Sequence, residues 1–332
     1  MSQAELARRM GRPLKTINEI VNGKASITAD TALQLELALG VSAGVWTGLE
    51  RLYRDHLARQ RAAVAFSNEV EWASSFPVSA MRKQGLISAR TGAALVQDLL
   101  AFFGVSSRAA WEQQWARTSV SLRRPAGSAP DTAALTVWLR WGEVLASDVA
   151  TKPFDEGALR RVAADSRGLT RRQPPSVAVD EFRSRLAACG VALVMVPEMP
   201  GMTASGAARW LTPRRAVVQL SLRYKQDDQL WFSLYHELGH LDQDRGTDFV
   251  DPEVDVYASD PAEARANGFA RDLLVEDRWI ALLRSAGPTE SAVREVAREA
   301  DVAPGILVGR LQHDGVLDRH QLNSLKKSIR WG

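Results

Sequence analysis

Cysteine is nearly absent from this chain of 332 residues, which holds only Cys189, so an internal disulfide is excluded. Cys189 sits in an apolar stretch, where a lone cysteine reads as a small buried hydrophobe without chemistry. Histidine is scarce as well, at five residues. Long apolar runs are missing: none approaches the roughly 18 residues of a membrane helix, so no membrane partner is expected. The opening MSQAELARRM is polar and lacks the apolar core of a secretory signal, and a soluble, cytoplasmic protein is expected. No internal repeat is apparent.

What the chain does have is enough apolar material, 45% hydrophobic over 332 residues, for two or three domains with separate cores. Its net charge of +3 is unevenly spread. Residues 1 to 60 carry 8 Lys and Arg against 6 Asp and Glu, residues 61 to 175 carry 15 against 10, and residues 176 to 332 carry 19 against 23. Nucleic acid, if bound, therefore belongs to the basic first half.

Three short helical patterns open the chain. Ser2, with Glu5 three residues on, forms a capping box for a helix reaching about Met10, ended by Gly11 and Arg12. Pro13 suits the first position of a second helix, whose Leu14, Ile17, Ile20 and Val21 make one apolar face, stopped by Asn22 and Gly23. Thr28 or Asp30 caps a third, which ends at Gly40. Two short helices across a tight turn make a helix-turn-helix, with the second helix in the major groove. A small helical interaction module that never touches DNA is the blander reading.

The stretch SQAELARRMGRPLKTINEIVNGKASITADTALQLELALG resembles the Xre-type helix-turn-helix of phage repressors, and most closely that of HigA-like antitoxins. The resemblance implies double-stranded operator DNA as a partner, faced by Arg12, Lys15, Thr16 and Asn18. Arg12 and Lys15 suit phosphate or guanine, Asn18 suits adenine, and Lys24 is a further phosphate candidate. A homodimer on a two-fold operator is expected of such domains, and a toxin partner of such antitoxins. Domains of this type usually carry another helix before the Ser-Gln of the motif, so either the true start lies upstream or that helix is missing.

Residues 42 to 66 continue as a helix with Val45, Leu49, Leu52 and Tyr53 on one side and His56 at the surface. From Trp72 to about Arg172 the pattern stays helical. Trp72, Trp111, Trp115, Trp138 and Trp141 read as core, because no strand-borne aromatic motif suggests base stacking. SLRRPAGSAPD at 121 to 131 and TRRQPPS at 170 to 176 read as linkers or loops, with Arg123, Arg124, Arg171 and Arg172 as solvated charges in preference to DNA-facing ones. Val177 to Cys189 reads as a helix, VALVMV after Gly190 as a short buried strand and AVVQLS at 216 to 221 as another.

The stretch WFSLYHELGHL contains H-E-x-x-H at His236, Glu237 and His240. On a helix, residues i and i+4 share a face, so both imidazoles reach one cation while Glu237 points into the same cavity. Two histidines leave a catalytic zinc site one protein ligand short, and a downstream acid is the natural supplement. PAEARANGFARDLLV at 261 to 275 reads as a helix with Pro261 at its start, Glu263 in its first turn and Asn267 one turn later on the same face. Gly239 weakens a helix interior by about 1 kcal/mol, which suggests a close approach to its backbone. The acids Asp242, Asp244, Asp248, Asp251 and Asp255 look like a surface loop, His313 and His320 read as surface or cleft-wall residues, and Tyr257 has no assigned role.

HELGH followed by E-x-x-A-N-x-F-A resembles the ImmA/IrrE family of metallopeptidases. The resemblance implies that His236, His240 and Glu263 bind Zn²⁺, that Glu237 is the general base and that Asn267 supports the ligands. It further implies cleavage of a protein substrate, in this family a transcriptional repressor. A strand such as 216 to 221 can flank the cleft in such peptidases, and an extended substrate is expected to pair with its edge. The family's usual proline after the ligand helix is replaced by Val275, Glu276 and Asp277. The expected plan is a helix-turn-helix at 1 to 60, a helical connector at 61 to 175 and an α+β, zincin-like domain with a small sheet at 176 to 332. The expected function is regulatory zinc-dependent endopeptidase; the alternative is an antitoxin-like repressor whose metal site is sensory or structural and does not cleave.

Overall fold

The computed structural model describes residues 1 to 332 apart from 122 to 131, 203, 222 to 225, 244 to 246, 253 to 260 and 330 to 332. Arg123, Arg124, Asp244, Asp255 and Tyr257 lie outside the described residues. The chain divides into two compact units. The first takes in Met1–Ala73 and Ala89–Gln97, the second Ser74–Ser88 and Asp98–Gly332.

In the first unit, α1 (Gln3–Met10) is capped by Ser2, whose hydroxyl accepts from the Glu5 N–H at 3.2 Å, and ends at Gly11 in the left-handed region, φ 63°. A glycine is favoured there because a Cβ would crowd the following carbonyl. α2 (Leu14–Val21) follows Pro13. α3 (Ala29–Leu39) starts at Thr28, which accepts from the Thr31 N–H at 3.3 Å, and α4 spans Ala43–Ser67. Ala7, Met10, Ile17 and Leu35 form the core, with Leu6, Ile27, Ala38, Leu39 and Trp46 against it. The apolar face expected of α2 is only partly inward: Ile17 is buried, whereas Leu14 and Val21 are exposed. At 100° per residue they sit about 40 to 60° round from Ile17, beyond the reach of so small a core.

Two short helices, α5 (Val70–Ser74) and α6 (Val78–Lys83), lead to α7 (Gly92–Phe103) and α8 (Arg108–Ser121). In the second unit, α9 (Thr132–Ser147), α10 (Glu156–Asp165) and α11 (Pro175–Ala187) precede the strands β1 (Val191–Val196), β2 (Ala204–Thr212) and β3 (Arg215–Ser221). Then come α12 (Asp227–Gln243), β4 (Phe249–Pro252), α13 (Pro261–Leu274), α14 (Asp277–Ala286), α15 (Glu290–Glu299) and α16 (Pro304–His313). The sheet order is β1-β3-β2-β4; β1 runs parallel to β3, while β2 is antiparallel to both β3 and β4. The result is a helical first half followed by an α+β region with a small mixed sheet.

One expectation is corrected by this order. The strand at 216 to 221 is interior, hydrogen-bonded on both sides by β1 and β2, and offers no edge to an extended ligand. β1 covers it on one side, and β2 and β4 lie between it and the other edge.

Side chains of successive strand residues face opposite ways, and each face of this sheet has its own cover. α9 lies on one, where Trp138 donates from Nε1 to the Val196 carbonyl at 3.2 Å and Gln219 donates to the Trp138 carbonyl at 2.7 Å. Gly142 makes room, since a Cβ there would fall 1.8 Å from Gln219 Oε1. The other face carries Val191, Leu193, Ala208, Ala216, Val218 and Leu220, packed with Leu230, Trp231, Leu234, Tyr235 and Leu238 of α12. Trp72, Trp115 and Trp138 are buried. α10 is tied to α12 by the Tyr235 hydroxyl, which donates to the Ala163 carbonyl at 2.8 Å, and by Arg160 on Asp242.

TRRQPPS is a short loop at 172 to 174 between two helices, and not an open linker. Thr170 is buried and its hydroxyl accepts from the Ala303 N–H at 2.9 Å, while Pro175 opens α11. The prolines mark a helix start, a role that composition alone does not distinguish from a loop.

Candidate functional site

α12 and α13 pack face to face at a glycine. A Cβ on Gly239 would fall 2.9 Å from the Ala266 Cα and 3.0 Å from its carbonyl oxygen, so the two backbones meet where the sequence implied a close approach. That contact brings the first turn of α13 over the histidine face of α12.

Donor atoms of three residues converge as a result. His236 Nε2 lies 3.1 Å from Glu263 Oε2 and 3.1 Å from His240 Nε2, and His240 Nε2 lies 3.5 Å from Glu263 Oε1. Two imidazoles and a carboxylate held this close form a set able to hold a metal ion. Burial works against the charge on Glu263, but its contacts with His236 and His240 outweigh that and leave its carboxyl below the usual range. Asn267 stands one turn on from Glu263, and its Oδ1 accepts from His236 Nδ1 at 3.0 Å. That bond fixes the ring so that Nε2 faces the cluster.

Glu237 is fully buried and lies against β2. A Cβ on Gly206 would fall 2.1 Å from Glu237 Oε1, so only glycine leaves room for this carboxyl. The His240 ring is stacked on Phe249 of β4, with centroids 4.1 Å apart and planes at 10°. Gly206 and Phe249 are participants that the spacing of H-E-x-x-H does not indicate.

The neighbouring acids are not a simple surface loop. Asp242 is buried in α12, its Oδ2 2.8 Å from Arg160 Nη2, and Asp248 accepts from the Trp210 N–H at 2.9 Å. His56, His313 and His320 are exposed, and none joins the cluster.

In the helix-turn-helix, Arg12 donates from Nε to Gln34 Oε1 of α3 at 2.7 Å, and Asn18 donates to Gln3 at 3.2 Å. Lys15, Asn18 and Lys24 are exposed and Thr16 is half-buried. Arg12 therefore helps hold α3 to the turn before α2, a role sequence spacing does not reveal because Gln34 lies 22 residues away.

No helix among the described residues is long and apolar enough to cross a membrane. No curated protein matches the chain. Residues 1–46 match the helix-turn-helix family, so the chain begins with a DNA-binding helix-turn-helix of the Xre type.

Proposed function

We propose that the chain is a regulatory zinc-dependent endopeptidase coupled to its DNA-binding domain, acting on a transcriptional repressor or related regulator. The observation that carries this reading is the convergence of His236, His240 and Glu263 with Glu237 one step round the same helix. The donors fit zinc: two nitrogens and one oxygen leave a fourth position open, the pattern of catalytic rather than closed structural sites. A bound Zn²⁺ supplies Lewis-acid polarisation there and lowers the pKa of a water to about 7.

The chain's own residues do the rest. Glu237 takes a proton from the attacking water and returns it to the departing amine, the work of a positioned carboxylate. Asn267 keeps His236 turned so that its Nε2 faces Glu263. Burial of Glu237 beneath Gly206 excludes bulk water and strengthens each charge interaction in the cleft. The helix-turn-helix holds the peptidase at an operator, where a repressor bound nearby is met at raised effective concentration.

A second reading is favoured by that same burial. With Glu237 enclosed, the metal site would be sensory or structural in an antitoxin-like repressor. The experiment that separates the two compares wild type with Glu237→Gln in the native host, mapping new protein N-termini. A few proteins cut only by wild type support the peptidase; matching proteomes, under stress as well as at rest, refute it.

A further inference from the structure

We propose that β4 is a built-in occupant of the peptide-binding strand site, an autoinhibitory segment that must leave β2 before an extended substrate can reach the metal cluster. The inference rests on the peptidase reading and deepens it. β2 has two hydrogen-bonding sides, and β3 holds one. The other is held by β4, with Ala208 opposite Phe249, Ala207 opposite Val250 and Gly206 opposite Asp251.

That line of pairing runs over the chemistry. Gly206 lies on the Glu237 carboxyl, and Phe249 lies flat on the His240 ring. A peptide paired with β2 in this register has its backbone beside Glu237, which is where a bond to be cut must lie. The place is already filled by the chain's own Phe249–Pro252. The small residues Gly206, Ala207 and Ala208 accept any extended backbone, whereas the His240 face favours a flat aromatic side chain. The substrate class is therefore an extended, unfolded segment with an aromatic residue at the position Phe249 now occupies.

β4 is also built to leave. It has only four residues, its register on β2 is interrupted between Ala204 and Gly206, and it ends at Pro252, which has no N–H to give. Short ladders of this kind belong to the low-stability end of a fold. Its outer anchor is Asp248, half-exposed, which accepts from the Trp210 N–H at 2.9 Å and lies 3.5 Å from Arg209 Nε. Arg209 is itself fixed by Glu143 at 2.6 Å. The latch is a surface carboxylate on a half-buried, anchored guanidinium, a contact that a competing ligand can displace.

The test locks β4 in place on the full, zinc-loaded chain. Ala207→Cys with Val250→Cys places thiols at paired positions on the sheet face away from Phe249. Cross-strand Cα atoms lie about 4.5 to 5.5 Å apart, inside the disulfide range. Cys189 does not compete, because it is buried and its thiol is pushed up to about 11. The probe is an extended tripeptide hydroxamate with a central phenylalanine, measured by calorimetry with the pair oxidised, reduced by a phosphine, and in the separate variant Asp248→Ala. The expected result is at least about tenfold weaker binding when oxidised, recovery on reduction, and tighter binding than wild type for Asp248→Ala, since affinity scales with the open fraction. Equal binding in the oxidised and reduced forms overturns the proposal, as does a probe that binds none of the three. Cleavage is read separately: cutting that ignores the disulfide removes β4 but keeps the peptidase, and disulfide-dependent binding without cutting keeps β4 but removes the peptidase.

Discussion

α4 and α12 are both long helices with opposite relations to the solvent. None of the 25 residues of α4 is buried, although Val45, Leu49, Leu52 and Tyr53 lie along it. In α12, 13 of 17 residues are buried, and they include His236, Glu237, His240 and Asp242. One helix leaves apolar groups in water, and the other takes polar groups out of it. Removing an imidazole or carboxylate from water is unfavourable unless something inside compensates, so each buried polar group on α12 needs a named partner. Asp242 has Arg160, His236 has Asn267, and the cluster as a whole has Glu263. α4 carries no such requirement: its Trp46 packs against the small core of the first unit, while Val45, Leu49, Leu52 and Tyr53 stay exposed.

The largest expected effect breaks the arrangement on α12. His236→Ala should take zinc from about one ion per chain to none, measured by elemental analysis. Glu237→Gln should keep the zinc and slow cleavage by about 10² to 10⁴, the usual weight of a general base; a fully active variant would remove Glu237 from that role.

Next comes packing. Leu234→Ala in the α12 core should lower unfolding free energy by about 2 to 5 kcal/mol, whereas Leu49→Ala on α4 should change it by less than about 0.5 kcal/mol. Denaturant titration of both variants checks the contrast, and similar losses would mean that the α4 stripe is covered in solution. A smaller effect concerns DNA. Lys15→Ala should weaken binding to promoter DNA uniformly across sequences and reduce the salt slope by about 1. Arg12→Ala should also lower the melting temperature of the helix-turn-helix, because Gln34 loses its partner. The smallest is chemical: Cys189, buried and with its thiol raised to about 11, should resist thiol reagents at pH 8 until the protein is unfolded.

The parts of this molecule readable in advance are those written in local spacing. Ser2 as a cap, Thr28 as one of two cap candidates, the four-residue step from His236 to His240, and the step from Glu263 to Asn267 all follow from helix geometry. VALVMV is apolar enough to be read as β1. β2 was not legible, because ASGAARWLT is made of small residues without apolar alternation, and its place in the sheet is decided by partners distant in the chain. Without β2, the strand at 216 to 221 reads as an edge. Asp248, Phe249 and Gly206 act through contacts across the sheet and escape any reading by interval.

Gly239 leaves one consequence. The gap between α12 and α13 is as narrow as two backbones permit, and it is held there by the absence of a single methyl group. Residue 239 is thus a spacer that sets the bite of the donor set from behind, without touching a ligand. A wedge at this point, Gly239→Ala, would leave His236, His240 and Glu263 all present yet spread apart. Weaker metal retention with every donor intact would then show that cation affinity in this fold is tuned by helix spacing as much as by the identity of the ligands.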